Sequence, residues 1–126
     1  MPSVTFDELY QSAKQVVNPR QLSTRASAGS VGAAILSISN TIYVGVCIDT
    51  TCSMGFCAEH AAAAAMITAG EHRILRIIAV GSAGQIMSPC GRCREFISQL
   101  HEQNLGAEVM VSQDETVTIE QLLPYR

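Results

Sequence analysis

The sequence predicts an α/β protein in which helices cover a mixed β-sheet. Helical and β-rich segments alternate along the chain in the order α-β-β-α-β-α-β. Near the end, a helix separates two strands, and strand–helix–strand connections of this kind join parallel strands of one sheet. The 126 residues, 48% hydrophobic and only 15% charged, supply enough apolar material for a packed core. We therefore expect a single domain over residues 1–126.

The first predicted helix and the hairpin after it follow from the spacing of apolar residues. Thr5 is followed by apolar residues at helical intervals, and Glu8, three positions later, completes a capping-box pattern. An Asn-Pro pair then ends the helix. Two β-rich runs follow, and the Ser39–Asn40 pair between them favours a hairpin. The predicted elements are a helix over residues 5–17, a polar loop over 20–30 and strands over 31–38 and 41–48.

The second half of the chain predicts two helices with strands after them. An alanine-rich stretch is a strong helix former, and Gly70 is expected to cap its end. The continuously apolar run "LRIIAVGS" predicts a buried strand. In "PCGRCREFISQLHEQ", the apolar residues fall on one side of a helix. The predicted elements are helices over residues 57–70 and 89–103, strands over 75–82 and 107–112, and a short strand or turn of helix over 115–123.

Composition argues against several classes of partner. The net charge is −3 and the eight basic residues form no run, so neither nucleic acid nor an anionic membrane surface is expected to bind. Apolar runs stay well short of the ~20 residues of a membrane span, and the first residues lack the apolar core of a signal peptide. Five cysteines, an odd number, fit a reducing compartment. We expect a soluble, cytoplasmic protein.

Three of the cysteines are placed as metal ligands would be. Cys57 opens one predicted helix, and Cys90 and Cys93 lie in the first turn of the next. The strand between these helices allows both N-termini to reach the same edge of the sheet, where α/β proteins bind ligands. Three thiolates around zinc leave a charge of −1, which the helix N-termini partly offset. Three protein ligands with one open position are typical of catalytic zinc.

The same thiols also allow other interpretations. Taken alone, the C-x-x-C of Cys90 and Cys93 could form a redox pair or two buried thiols. A zinc ribbon would need a second C-x-x-C, which the sequence lacks. The combination with Cys57 across one strand favours a single zinc ion per chain, and Cys52 is not needed as a ligand.

Glu59 is the predicted catalytic residue. It stands two positions after Cys57, in the same helical turn, so that its carboxylate can face the open coordination position. Acidic residues are also favoured in first turns by the helix dipole, which is the alternative explanation. Next to a metal-activated water, a carboxylate can accept a proton and pass it to the substrate.

The combined motifs identify a family resemblance. C-x-E followed by P-C-x-x-C is the pattern of zinc nucleobase deaminases. Together with "VGAAIL", "SPCGRCR" and "LLP", it makes the chain resemble the small cytidine deaminase and blasticidin-S deaminase family from about Val31 to Pro124. The resemblance implies a three-layer α/β/α sandwich with a mixed sheet of about five strands, assembled as a homotetramer or dimer. It also implies hydrolytic deamination of an aminopyrimidine nucleoside of the cytidine type, or of a related amino-heterocycle.

The resemblance further assigns substrate contacts. It implies that the backbone near Ala58 and Ser88 hydrogen-bonds the pyrimidine edge. The family reads ribose hydroxyls with an Asn-x-Glu after the second strand, and this chain has Cys47 and Asp49 there. Gly29 stands where the family usually has an aromatic residue, so we expect weaker ribose recognition and a roomier pocket near Gly29. Alternatively, Cys47 packs on its strand and Asp49 caps a loop.

Two residues are predicted to support the metal centre without binding it. His60 stands where many family members have an arginine, and Arg92 lies between the two later cysteines, where its guanidinium could donate to the thiolates. The alternative for Arg92 is an exposed residue at a helix start.

Two other functions stay open: deamination of an antibiotic nucleoside such as blasticidin S, and non-catalytic zinc binding by an interaction protein. The intact C-x-E pattern argues against the second.

Overall fold

The computed structural model of the chain describes residues 4–126. It contains three α-helices, seven β-strands and two short 3-10 turns within these residues. The helices are α1 (Phe6–Val16), α2 (Ala58–Thr68) and α3 (Gly91–Leu100). The strands are β1 (Arg20–Ser23), β2 (Ala26–Ser37), β3 (Ile42–Thr50), β4 (Ile74–Gly81), β5 (Ile86–Met87), β6 (Glu108–Ser112) and β7 (Glu115–Thr118). No helix in this part of the chain is long and apolar enough to cross a membrane.

Local sequence signals account for the helix ends. The hydroxyl of Thr5 accepts a hydrogen bond from the backbone N–H of Glu8, so the predicted N-cap of α1 is confirmed. The chain leaves α2 just before Gly70, whose φ of +95° is the left-handed conformation that favours glycine at a helix end. Cys57 and Cys90 occupy the N-cap positions of α2 and α3. Both helices therefore begin at residues predicted to bind the metal.

The sheet is mixed, as predicted. Five of its strands lie in the order β3-β2-β4-β6-β7, which agrees with the five strands expected. β4 and β6 pair in parallel across the α3 crossover, whereas the other strand pairs are antiparallel. The two additional short strands extend the sheet, since β1 pairs with the beginning of β2 and β5 with the end of β4.

The prediction of a polar loop over residues 20–30 is wrong. Residues 20–30 form β1 and the first part of β2, and β2 begins at Ala26 instead of Val31. The four residues of β1 are all exposed, so they show no alternation between apolar and polar side chains that would reveal a strand. The pairing of β1 with β2 depends on backbone hydrogen bonds, which the side-chain pattern does not report. Residues 115–123 begin as β7 and end in turns.

Helices cover both faces of the sheet, which confirms the three-layer α/β/α sandwich. α1 packs on one face with Leu9 and Ala13 against buried residues of β2 and β4. α2 and α3 pack on the other face, where Met66 and Ile97 belong to the larger core. Both cores consist mainly of buried aliphatic side chains, and burial of such side chains is the main favourable term in folding.

α2 lies unusually close to strand β3. A Cβ atom on Gly45 would collide with the backbone nitrogen of Ala62 and with Ala61. The alanine run of α2 therefore faces a glycine of the strand, and no side chain larger than the methyl group of Ala61 separates the helix backbone from the strand at this point. This contact fixes the depth at which the first turn of α2 lies over the sheet.

Candidate active site

The three predicted metal ligands form one cluster. The sulfur atoms of Cys57, Cys90 and Cys93 all lie within 4.8 Å of one another. The Cys57–Cys90 and Cys90–Cys93 Sγ–Sγ distances are both 3.4 Å. Tetrahedral zinc with zinc–sulfur bonds of about 2.3 Å holds its sulfur ligands about 3.8 Å apart, so a small adjustment of the side chains accommodates the ion. All five cysteines, which lie within the described residues 4–126, are free thiols.

The electrostatics of the cluster favour a cation at its centre. Burial raises the pKa of the Cys57 thiol to about 11, with the Cys90 thiol contributing. Burial also raises the pKa of Cys93, and the nearby Glu59 carboxylate adds to the effect. For Cys90 burial acts in the same direction, but hydrogen bonds, the backbone N–H of Cys93 first among them, outweigh it and lower the pKa. A divalent cation compensates the charge of three thiolates in such a partly buried site.

Glu59 lies beside the cluster in the first turn of α2. Its side chain is 5% exposed, and it lines the same cavity as Cys57 and Cys90. Burial raises the pKa of this carboxyl above its ordinary value, although its own backbone N–H and Cys93 act against the shift. A carboxyl group with a raised pKa is suited to accept and return a proton near neutral pH.

A cavity of about 470 Å³ opens from the cluster toward strand β3. Such a volume is in the range of small-molecule sites. The four residues predicted to contact substrate all line this cavity: Cys47, Asp49, Ala58 and Ser88. Ser30, which the sequence did not single out, also lines it, and its hydroxyl is 3.2 Å from the Cys47 thiol. The Cys47 thiol lies 3.8 Å from a carboxylate oxygen of Asp49, which places three polar groups in a row along one wall.

The expectation of extra space near Gly29 is wrong. Gly29 has a φ of +88°, and a Cβ atom there would collide with the backbone carbonyl of Asn18. The Asn18 N–H also donates to the Gly29 carbonyl, at 2.8 Å. Gly29 is therefore required by the contact with Asn18, and the neighbouring Ser30 and Val31 form the cavity wall.

The chain matches known proteins over most of its length. The family model of the cytidine and deoxycytidylate deaminase zinc-binding region matches residues 7–108, which include Glu59 and the three clustered cysteines. The chain belongs to this deaminase family. It is a zinc-dependent hydrolytic deaminase, and Cys57, Cys90 and Cys93 are positioned to bind one metal ion.

Individual deaminases show the extent of the similarity. A cytidine deaminase from Mycobacterium tuberculosis is 31% identical over 112 residues, which are 88% of this chain and 80% of the relative. A cytidine deaminase from Sporosarcina psychrophila is 31% identical over 102 residues, covering 75% of this chain and 71% of the relative. A crystal structure of cytidine deaminase from Mycobacterium tuberculosis matches with a TM-score of 0.82 at 25% identity, over 98% of this chain and 97% of that one.

The two residues predicted to support the deaminase's metal centre differ in position. His60 is buried, and its Nδ1 atom lies 3.3 Å from the sulfur of Cys93. Arg92 is exposed and lines the cavity, and its guanidinium donates to the carbonyl of Gly55 at 3.3 Å. Of the two, it is His60 that has a nitrogen within hydrogen-bond distance of a ligand sulfur.

Arg94 is a further residue of the site that sequence reasoning missed. Its guanidinium donates to the Pro89 carbonyl at 2.8 Å, to the Ser88 hydroxyl at 3.2 Å and to the Leu122 carbonyl at 3.4 Å. It therefore joins the segment before α3 to the C-terminal segment. The sequence signal was only the arginine directly after Cys93.

Proposed function

We propose that this protein removes the exocyclic amino group of a cytidine-type nucleoside by hydrolysis and releases it as ammonia. The observation that carries the proposal is the position of Glu59, a buried carboxyl group that faces a substrate-sized cavity beside three clustered thiols. A purely structural metal site has four closed ligands and needs no such carboxyl group. The names of the relatives, cytidine deaminases, support the choice of substrate class.

The residues of the site have separate roles in the proposed reaction. Cys57, Cys90 and Cys93 would hold zinc, which lowers the pKa of a coordinated water and so supplies a nucleophile at neutral pH. Glu59 accepts a proton from water and delivers it to the ring nitrogen beside the amino-bearing carbon. The oxygen of that water bonds to the amino-bearing carbon. Glu59 then takes the remaining proton from the new hydroxyl group and passes it to the amino group, which leaves as ammonia when the carbon–nitrogen bond breaks. One water is consumed, and the amino group is replaced by a carbonyl oxygen.

The walls of the cavity hold the substrate in this proposal. The backbone at Ala58 and Ser88 binds the pyrimidine edge, and Cys47 and Asp49 face the sugar. Support comes from their shared position on the cavity lining, with Cys47 and Asp49 on β3 and the other two beside the thiols. A thiol is a weak hydrogen-bond partner, so ribose hydroxyls are bound less strongly than by an amide.

The proposal extends to the state of the protein in the cell. We propose one domain over the whole chain and a homo-oligomer, a tetramer or dimer. Support comes from large apolar side chains exposed near the cavity: Met54, Phe56 and Met87. We also propose a cytoplasmic location, because free cysteines are typical of reducing compartments and tend to form disulfides in oxidising ones.

Activity assays with a matched pair of variants test the function. Ammonia release is measured with cytidine, 2′-deoxycytidine, cytosine and blasticidin S, and zinc content is measured on the same samples. Glu59→Gln is expected to keep its zinc and lose about 10²- to 10⁴-fold in turnover, as removal of a general acid/base does. Glu95→Gln, an exposed glutamate on α3, is the control and should keep both. Cys90→Ala should lose zinc and turnover together.

Three outcomes would count against the proposal. Full turnover by Glu59→Gln would show that the proton follows another route. A zinc-loaded parent protein that releases ammonia from none of the pyrimidine nucleosides would reject the substrate class, and turnover of blasticidin S alone would assign the antibiotic nucleoside instead.

A further inference from the structure

His60 forms a contact between the two helices that carry the metal ligands. It lies on α2, one turn after Cys57, and its Nδ1 atom is 3.3 Å from the sulfur of Cys93 on α3. Its ring stacks on Phe96, with the ring centroids 4.2 Å apart and the planes 15° from parallel. Phe96 is one turn after Cys93 on α3. Phe96 therefore holds the imidazole ring in place, and the Nδ1 atom of the ring faces the sulfur of Cys93 on the same helix.

Burial explains why Cys93 in particular needs such a neighbour. Its side chain is fully buried, whereas Cys90 is exposed and Cys57 is half-buried. Cys90 also accepts the backbone N–H of Cys93 at 3.5 Å. A buried thiolate has no access to water, and a buried charge without a hydrogen-bond donor is costly. The nitrogen of His60 is the donor placed to meet this requirement.

The chemistry of the ligand decides which way the hydrogen bond runs. A cysteine that binds a metal is a thiolate without a proton, so it can only accept. The proton must then be on Nδ1 of His60, and the tautomer is fixed by the ligand. Stacking on Phe96 limits rotation of the ring and keeps Nδ1 directed at the sulfur.

We infer that His60 is a positioning residue of the zinc site, which donates a hydrogen bond from Nδ1 to the Cys93 thiolate while Phe96 holds its ring. The inference rests on the proposed zinc-dependent function. Groups that hydrogen-bond to metal ligands orient them and moderate their charge, and their removal typically weakens metal binding by about 10- to 100-fold.

Two substitutions separate the hydrogen bond from the stacking. His60→Phe keeps an aromatic ring against Phe96 but has no donor. His60→Asn loses the ring, but its amide nitrogen can take the place of Nδ1. His72→Phe changes a histidine outside the site in the same way and serves as the control. Zinc affinity is measured by competition with a chelator, and cobalt(II) substitution reports the energy of the thiolate-to-metal charge-transfer absorption.

The expected results are specific to a donor. His60→Phe should lose about 10- to 100-fold in zinc affinity, and its cobalt absorption should move to lower energy, because a thiolate without a hydrogen bond gives up charge more easily. His60→Asn should lie closer to the parent in both measurements, and His72→Phe should match it. Parental affinity and an unmoved absorption band in His60→Phe would overturn the inference. Equal losses in both His60 variants with unmoved bands would overturn it as well, since packing alone would then explain them.

A measurement on the parent protein covers the case in which His60→Phe does not fold. Nitrogen-15 NMR of the zinc-loaded protein should show a proton on Nδ1 of His60, and an unprotonated Nδ1 would overturn the inference. None of these measurements uses turnover. A parent protein that binds zinc but does not deaminate cytidine would therefore reject the proposed function and leave the role of His60 to be decided by these results.

Discussion

Asn104 provides a test of how strand β4 and helix α3 are held together. Its side chain is fully buried. The Oδ1 atom accepts the backbone N–H of Ile74 at 2.7 Å, and Nδ2 donates to the carbonyls of His72 at 3.1 Å and Ile97 at 3.0 Å. One amide therefore joins the start of β4 to the end of α3. We expect Asn104→Ala to lower the free energy of unfolding substantially.

The expected loss in the free energy of unfolding follows from the number of hydrogen bonds that the Asn104 side chain makes. A buried hydrogen bond contributes about 1 kcal/mol net, so three lost bonds give about 3 kcal/mol. The loss grows if the freed backbone groups find no water, since each unpartnered group costs about 1–3 kcal/mol. Asn104→Asp keeps the volume and an acceptor but lacks both Nδ2 donors, so a loss of about 2 kcal/mol or more is expected.

Denaturant unfolding of the zinc-saturated protein measures the effect. The neighbouring Gln103 is exposed, and Gln103→Ala should change the free energy of unfolding by no more than about 0.5 kcal/mol. If Asn104→Ala falls within about 0.5 kcal/mol of this control, the assignment of the three bonds as a stabilising unit is wrong.

Two further predictions concern acid stability and substrate choice. The hydrogen bond from the Tyr43 hydroxyl, together with those from neighbouring serines, holds the pKa of Glu71 below its ordinary value of 4.5. The ionised carboxylate therefore stabilises the fold at pH values above 4.5, and this contribution is lost as the pH falls through the lowered pKa. The difference in unfolding free energy between the parent and Glu71→Gln should therefore shrink from pH 6 toward pH 3, and a constant difference would contradict the assignment. Replacing Cys47 by Asn and Asp49 by Glu together should raise kcat/KM for cytidine by roughly fivefold per added hydrogen bond of about 1 kcal/mol. A kinetic comparison with 2′-deoxycytidine checks this, and unchanged values would remove both residues from the sugar side.

The sequence was sufficient for elements whose side chains report their environment. α1 combines the Thr5 cap with an amphipathic period, and both signals act within a few residues. The metal cluster was predictable for a similar reason: Cys57 opens α2, Cys90 caps α3, and the intervening β4 brings the helix starts together. Spacing along the chain then translates directly into proximity in space.

Elements that depend on distant partners were not predictable. β1 is an exposed strand that exists through pairing with β2, and β5 is only two residues long. The contact of Ser30 with Cys47 joins residues 17 positions apart. The family resemblance placed His60 near the metal, but it did not indicate that the cysteine it contacts is Cys93, 33 positions away. No local pattern marks such pairs, because the choice of partner is made by the packing of the sheet and helices.

The close approach of α2 to β3 at Gly45 has a consequence for the division of the cavity. Cys57 and Glu59 belong to the start of α2, whereas Cys47 and Asp49 belong to β3. Because this close contact between helix and strand sets their separation, the distance between the start of α2 and the β3 wall of the cavity does not depend on the side chains that line the cavity. Residues of β3 that line the cavity can therefore be exchanged without displacing the first turn of α2, as long as position 45 carries no side chain.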